Sequence, residues 1–321
     1  MRTGDLPPDH ARMPDTLVVR VDTGDEIAWL DWGPPARDDL PALLLVHGVA
    51  QTGWTWAPVA RRLAHRMRVL APDLRGHGVS GGPRTGYDPA SLGWDVLTVA
   101  SACGYGSAVG GPPVVLAGHG AGAIVAAAAA GLAPSSVAGL VLVDGGWEGL
   151  ADATGMSSAQ YVAALEEPPE VLRSLDAFLA DRRAFDPASW DADQERAARA
   201  QVVEKHAGHV RPATRSWALR AIAEGLFPWE PTDALPALDL PLCVLVAGSG
   251  SPDDDTERER GLALAEVLAR RTAAGMPAAH VVRYPGAGHN LMRYRPGPMA
   301  AELLAFAERV AGERHAAGLE G

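Results

Sequence analysis

Short apolar runs alternate with longer helical patterns along most of the chain. Segments 17–21 and 26–32 alternate apolar and polar side chains around a turn, which predicts a two-stranded hairpin. Later apolar runs are continuous, as expected of strands buried on both faces: 43–46, 67–71, 114–117, 139–143, 242–247 and 279–284. Helical patterns separate these runs, so the sequence predicts an α/β fold with a mainly parallel sheet. In such sheets, ligands bind at the carboxyl ends of the strands.

The alternation stops between Glu148 and about Ala234. Four helical patterns joined by short prolyl loops fill this part of the chain: 158–165, 169–179, 193–207 and 212–223. We therefore expect a helical cap, 148–234, inserted into a core made of 17–147 and 235–312. Segments 1–16 and 313–321 are expected to be flexible ends.

Composition and charge narrow the class of partner. Hydrophobic residues make up 47% of the 321 residues and charged residues 21%, which is ordinary for a folded soluble protein. A net charge of -11 would repel phosphates, so nucleic acid and anionic membranes are disfavoured. The start of the chain carries no secretory signal, and the longest apolar stretch is interrupted by glycines. We expect a cytoplasmic protein with a small-molecule partner. Its oligomeric state stays open.

No cofactor or metal is expected. The glycines of 118–122 have the wrong spacing for a dinucleotide fingerprint, and there is no phosphate loop. Glu204, His206 and His209 could together offer metal ligands. Without a further ligand nearby, a solvated surface is the better interpretation of these three residues.

The most informative stretch is Gly118-His119-Gly120-Ala121-Gly122, between an apolar run and an alanine-rich helical pattern. Strand, sharp turn and helix are the layout of the nucleophile elbow Gly-x-Ser-x-Gly. The residue at the apex of that turn is Gly120, which has no side chain.

Four separated motifs together resemble the α/β-hydrolase superfamily, in particular its capped esterase, epoxide-hydrolase and haloperoxidase-like branch. They are Leu45-Val46-His47-Gly48, Pro72-Asp73-Leu74-Arg75-Gly76-His77-Gly78-Val79-Ser80, the elbow, and Gly286-Ala287-Gly288-His289. The resemblance covers roughly residues 17 to 312. It implies a mostly parallel eight-stranded sheet with helices on both faces and an inserted helical cap.

The resemblance also implies roles for site residues. His289 matches the general base of the family, and the backbone amides of Val49 and Ala121 match its oxyanion hole. The acid that orients the histidine is placed at Asp253, slightly ahead of Asp144. Gly120 occupies the nucleophile position, which excludes covalent catalysis there.

Candidate pocket residues follow from the same resemblance. Trp54, Trp56, Trp147 and Trp190 come from segments that the family uses as pocket walls, which favours an apolar, carbonyl-bearing ligand. His47 is interpreted as a residue that shapes the turn and pocket. His119, beside the apex, is a further candidate pocket residue.

Three functions are compatible with these residues. In the first, His289 activates a water or deprotonates the substrate, and the protein remains an enzyme. In the second, the protein is an inactive hydrolase fold that binds a small molecule or partner. In the third, it is a serine-to-glycine form of an ordinary esterase.

Overall fold

Ten strands in two sheets are present in the computed structural model, which describes residues 12–33, 39–205, 208–251 and 253–318. The strands are β1 (Asp15–Arg20), β2 (Glu26–Asp31), β3 (Leu43–Val46), β4 (Val69–Pro72), β5 (Val114–His119), β6 (Val137–Val143), β7 (Val202–Glu204), β8 (Val210–Pro212), β9 (Leu242–Gly248) and β10 (His280–Pro285). The main sheet has eight strands in the order β1-β2-β4-β3-β5-β6-β9-β10. β2 pairs antiparallel with both β1 and β4, and the other neighbours are parallel. The expected fold class is confirmed.

Helices cover both faces of this sheet. They are α1 (Ala57–Leu63), α2 (Pro89–Ala102), α3 (Ala121–Leu132), α4 (Leu150–Thr154), α5 (Ser158–Ala164), α6 (Leu175–Phe185), α7 (Ala192–Ala200), α8 (Ser216–Leu226), α9 (Pro231–Ala234), α10 (Asp255–Ala273), α11 (Leu291–Tyr294) and α12 (Pro296–Ala316). Side chains of a strand point alternately to opposite faces. In β3, Leu44 packs with α2, α3 and α10, whereas Leu43 and Leu45 pack with α1 and α12. Both faces of the central strands are therefore buried, which explains their unbroken apolar runs.

Segment 148–234 differs in detail from its prediction. The third predicted helix, 193–207, ends at Ala200 in α7, and the chain continues into the hairpin of β7 and β8. The β-branched Val202 and Val203 favour this extended pairing. The second predicted helix, 169–179, begins only at Leu175. His206 lies outside the described residues.

The chain ends are more ordered than expected where they are described. β1 begins at Asp15, within the predicted flexible segment 1–16, because its backbone pairs with β2. α12 continues to Ala316, past the predicted start of the flexible tail at 313. Across the described ranges, none of the helices combines the length and the apolarity that crossing a bilayer requires.

Two buried ion pairs connect separate elements of the fold. Arg61 of α1 lies 3.0 Å from Asp193 of α7 and so joins the core to the inserted segment. Arg75, in the loop after β4, donates from Nε and Nη2 to the two carboxylate oxygens of Asp95 on α2, each at 2.6 Å. A bidentate geometry of this kind fixes the loop in one orientation.

Removing one partner of the Arg75–Asp95 ion pair should destabilise the fold. We expect Asp95→Ala to lower the free energy of unfolding by about 3–5 kcal/mol, because a buried guanidinium would lose its counter-charge. Glu195→Ala, which removes an exposed carboxylate that pairs with Arg199 within α7, should cost less than about 1 kcal/mol. Urea denaturation of both variants measures the difference. Equal losses would show that burial of the Arg75 pair contributes nothing.

Candidate functional site

The turn between β5 and α3 forms the centre of the site. Gly120 has φ 55° and ψ -124°, a conformation that side-chain-bearing residues rarely adopt. A Cβ at Gly118 would lie 2.2 Å from the carbonyl oxygen of Gly122, and one at Gly122 would lie 2.3 Å from that of His47. The three glycines therefore permit strand, helix and the loop after β3 to approach closely.

His289 faces this turn from the loop after β10. Its Nδ1 lies 2.6 Å from Oδ2 of Asp144, directly after β6. A Cβ built on Gly120 would lie 3.2 Å from Nε2 of the same imidazole. The outer nitrogen of His289 is thus directed at the apex, and the inner nitrogen at a carboxylate.

The preference for Asp253 as the partner of His289 is wrong in this geometry. Asp253 is exposed, and its neighbour Asp254 accepts a hydrogen bond from the Glu257 amide as the N-cap of α10. The acidic run after β9 therefore begins a helix. Asp144 adopts φ 47° at the end of β6, and its Oδ1 also accepts from the Ala247 amide. This bond fixes the carboxylate toward His289.

Opposing effects act on the Asp144 carboxylate. Burial raises its pKa, but the hydrogen bond from His289 and the charge of Arg260 outweigh burial and hold the pKa below its ordinary value. Arg260 of α10 lies 3.1 Å from Asp144 and 3.1 Å from Glu148. Burial raises the pKa of Glu148. Asp144, whose pKa is lowered, is therefore the acid that stays ionised near neutral pH.

Two backbone amides without an acceptor in the described part of the chain belong to residues that line the space beside the apex, Val49 and Ala121. Ala121 is the first residue of α3, so its amide has no intrahelical acceptor. We find no acceptor for this amide or for that of Val49 among the described residues. The next amide, of Ala50, is held by Nε2 of His77 at 3.2 Å. The loop after β3 is thereby fixed with the Val49 amide free.

Gln51 and Asn290 join the two loops of the site and were not anticipated. The Gln51 side chain accepts from the Gly48 amide at 3.1 Å and donates to Oδ1 of Asn290 at 2.8 Å. His119 completes this network: its Nε2 donates to the carbonyl oxygen of His289 at 3.1 Å, and the two rings are 4.4 Å apart. Asn290 directly follows the His289 motif and Gln51 follows Gly48, but neither spacing indicates such a bond.

Buried histidines around the site serve as neutral hydrogen-bonding groups. Burial lowers the pKa of His47 to about 4, and burial with the neighbouring His289 lowers that of His119 to about 3. Nε2 of His47 accepts from the Leu74 amide at 3.0 Å. His47 therefore shapes the loops without lining the cavity, whereas His119 does line it.

A cavity of about 480 Å³ opens at the apex. Polar side chains occupy much of its wall: Gln51, His119, Asp144, Glu148, Thr154, Tyr161, Thr256, Arg260, His289 and Asn290. Leu150 and Leu165 add apolar surface. The cavity therefore presents both polar groups and apolar surface at the carboxyl ends of the strands.

The predicted tryptophan walls are wrong. Trp56 and Trp147 are buried in the two halves of the hydrophobic core. Trp54 packs edge-on against Trp32 and lines a different cavity, and Trp190 packs in a small cluster around Phe178. A tryptophan near a strand end can face the core or the ligand, and the sequence pattern does not distinguish these directions.

Comparison with known proteins identifies the family. The model of the Alpha/beta hydrolase family matches residues 43–302, which include the elbow, Asp144 and His289. The chain belongs to this family. 2-(Acetamidomethylene)succinate hydrolase of Mesorhizobium japonicum is 30% identical over 259 residues, covering 80% of this chain and 84% of that protein. Relatives of this chain in the family are hydrolases, which supports the interpretation of this chain as an enzyme.

Solved structures agree on the fold. The crystal structure of E-2-(acetamidomethylene)succinate hydrolase superposes with a TM-score of 0.72 at 23% identity, covering 92% of this chain and all (100%) of that one. The thioesterase domain from the curacin biosynthetic pathway gives a TM-score of 0.65 at 22% identity, covering 91% of this chain and 99% of that one. Both solved structures thus share the fold of this chain.

The contact between Asp144 and His289 should affect stability in a pH-dependent way. We expect Asp144→Asn to lower the free energy of unfolding at neutral pH by about 1.5–3 kcal/mol, the range for hydrogen bonds to charged groups. The pKa of Asp144 is depressed on folding, so its stabilisation is present above the ordinary value of 3.8 and is lost as the pH falls through the folded value.

Urea denaturation between pH 7 and pH 3 measures this effect. Asp253→Asn is the matched control, because it removes an exposed carboxylate near the same strand ends. It should change stability by less than about 0.5 kcal/mol at every pH. A difference between Asp144→Asn and the parent protein that stays constant down to pH 3 would contradict the account.

Proposed function

We propose that this alpha/beta hydrolase is an enzyme that works without a covalent nucleophile, with His289 as the general base for a small carbonyl-bearing substrate. The observation that carries the proposal is the position of the histidine Nε2 opposite the apex, 3.2 Å from where a Cβ of residue 120 would lie. A proton acceptor and two free amides surround a position where the chain offers no nucleophilic atom. The attacking group must then come from water or from the substrate itself.

Each part of the proposed mechanism has a separate task. Nε2 of His289 accepts a proton from a water that attacks the carbonyl carbon, or from a carbon or heteroatom of the substrate. Asp144 holds Nδ1 and stabilises the imidazolium that forms. The amides of Ala121 and Val49 donate to the carbonyl oxygen as negative charge develops on it. In the hydrolytic case, collapse of the tetrahedral intermediate breaks the bond to the leaving group, which receives its proton from the imidazolium.

The substrate class rests on the cavity and on the named relative. By its name, the relative from Mesorhizobium japonicum hydrolyses a compound with an acetamido group, whose carbonyl is of the required kind. Arg260, Gln51 and Asn290 in the cavity wall favour a substrate with polar groups. The tryptophans lie elsewhere, so the expectation of a largely apolar ligand rests on other parts of the cavity wall, such as Leu150 and Leu165.

A binding protein without turnover is the second candidate. The observation that favours it is the positive φ of Gly120, since glycine relieves the strain that a serine would carry there. Selection for stability alone could therefore keep a glycine at the apex once activity was no longer needed. The third candidate, an esterase that has lost its serine, predicts recovery of esterase activity when the serine is restored.

Placing serine at the apex should create a reactive nucleophile. We expect Gly120→Ser to become labelled by a fluorophosphonate probe, because its hydroxymethyl group would lie beside Nε2 of His289 and the two free amides. The parent protein and Gly120→Ala should stay unlabelled. Both variants should lose about 1–2 kcal/mol of stability, since each places a Cβ at a positive φ.

Intact-protein mass spectrometry measures the labelling, and thermal unfolding measures the cost. Gly120→Ala is the matched control, because it has the same strained backbone and Cβ without the hydroxyl. Labelling of the parent protein would reveal another nucleophile and overturn the proposal. A folded Gly120→Ser variant that resists the probe would show that His289 does not activate the apex.

Loss of the imidazole should abolish turnover by the parent protein. On a panel of aryl esters, lactones and N-acyl compounds, we expect His289→Ala to lower kcat by about 10²–10⁴-fold, the usual contribution of a general base. His65→Ala, which removes an exposed histidine after α1, should keep full activity. Activity that survives His289→Ala would contradict the proposal. Binding of panel compounds without any turnover would favour the binding protein.

A further inference from the structure

A second cavity of about 590 Å³ lies next to the His289 cavity. Residues of segment 148–234 form most of its wall, together with Ala50, which follows the Val49 amide. Leu165 lines both cavities, so a single side chain forms part of the boundary between them. The two cavities therefore adjoin at Leu165.

Three cationic side chains line the second cavity although the protein is strongly acidic. Lys205, the single lysine of the chain, directly follows β7, Arg211 lies on β8, and Arg215 precedes α8. None of the three forms an ion pair within the described ranges. Arg215 donates to the carbonyl oxygen of Ser80 at 2.9 Å, and Arg211 donates to that of Pro212 at 3.3 Å. Both guanidinium groups keep further N–H donors.

The wall of the second cavity contains fewer acidic side chains than basic ones. Glu167 is already paired with Arg182. Glu166 is exposed and adds a single uncompensated carboxylate. The balance of charge around the cavity is therefore positive, in contrast to the net charge of -11 for the whole chain.

Thr214 supplies an independent sign of a ligand. Thr214 is only 7% exposed and lines the cavity, and its hydroxyl has no hydrogen-bond partner among the described residues. A ligand oxygen in the cavity could therefore accept a hydrogen bond from Thr214.

The N-terminus of α8 also lies at the second cavity. The N-cap residue, Arg215, makes no side-chain cap, so the first amides of this 11-residue helix have no side-chain acceptor there. Ser216 and Trp217, the first two residues of the helix, line the cavity. Free helical amides, a free hydroxyl and cationic side chains are the groups that bind carboxylate or phosphate oxygens.

We propose that this cavity binds an anionic group, a carboxylate or a phosphate, at the far end of the substrate. The proposal rests on the proposed function, which places the substrate carbonyl at His289. Leu165, Leu172 and Phe178 supply an apolar wall, so the substrate class is an acyl compound with an apolar chain that ends in an acid group. The anionic end would fix the register of the chain and bring the carbonyl to the free amides.

Calorimetric titration with matched probes tests the proposal. Monomethyl suberate has one ester and one carboxylate, and dimethyl suberate has the same chain without the charge. We expect the parent protein to bind the monomethyl ester at least about tenfold more tightly, as charge-assisted hydrogen bonds would give. Octyl phosphate serves as the probe with a phosphate head. Tighter binding of octyl phosphate than of monomethyl suberate would identify phosphate as the preferred anion.

Variants of residues in the cavity wall test which side chains cause the preference for the charged probe. The double variant Lys205→Gln/Arg211→Gln and the single variant Thr214→Val should each reduce the preference for the charged probe to less than about threefold. Arg220→Gln, which removes an exposed cation from the same helix outside this cavity, should leave it unchanged. His289→Ala should also keep the preference, so a failure of the catalytic proposal can be told apart from a failure of this one. Equal binding of the two suberates by the parent protein, or a preference that survives all cavity variants, would overturn the inference.

Discussion

The positive φ of the turn at Gly120 is the constraint on which the site depends. It reverses the chain between β5 and α3 within one residue, so that the first amide of α3 comes close to the loop after β3. The close approach at Gly118 and Gly122 leaves no space for side chains there. A Cβ on Gly145, after β6, would lie 2.7 Å from the Gly120 backbone, so the strand that carries Asp144 is held equally near. The backbone packing that positions the amides therefore also positions the acid.

Around this turn, charged and titratable side chains form one continuous chain of contacts. Glu148 and Arg260 form an ion pair, Arg260 contacts Asp144, and Asp144 binds Nδ1 of His289. Low local dielectric raises the pKa of a buried acid, but the hydrogen bond from His289, the charge of Arg260 and the Ala247 amide together hold the pKa of Asp144 below its ordinary value. This arrangement orients an imidazole and leaves its outer nitrogen available at the apex. It is useful for proton transfer whether or not a side chain is present at residue 120.

Sequence patterns were sufficient for features that depend on local chemistry. Continuous apolar runs such as 43–46 predicted the buried strands, and the glycine spacing around Gly120 predicted the turn. His289 was assigned by resemblance, because the motif Gly286-Ala287-Gly288-His289 after the last strand matches the family pattern. These features are local, so neighbouring residues determine them.

Features that depend on tertiary direction were not predictable in the same way. Asp253 and Asp144 both follow strands, and only the packing of β6 beside β9 turns Asp144 toward His289. Arg260 lies on a helix with no motif around it, and the strands β7 and β8 are only 3 residues long, too short for a periodic signal. The tryptophans were assigned by segment, but Trp56 and Trp147 are buried in the core, and Trp54 and Trp190 pack away from the His289 cavity.

The central claim is that His289 presents a free proton acceptor to a turn that has no nucleophilic side chain. Nitrogen-15 NMR of histidine-labelled protein at neutral pH tests it most directly, because the two ring nitrogens report protonation separately. The account predicts that the neutral imidazole of His289 carries its proton on Nδ1, with a strongly deshielded signal that Asp144→Asn removes, and has an unprotonated Nε2. A proton on Nε2, with Nδ1 unprotonated, would contradict it.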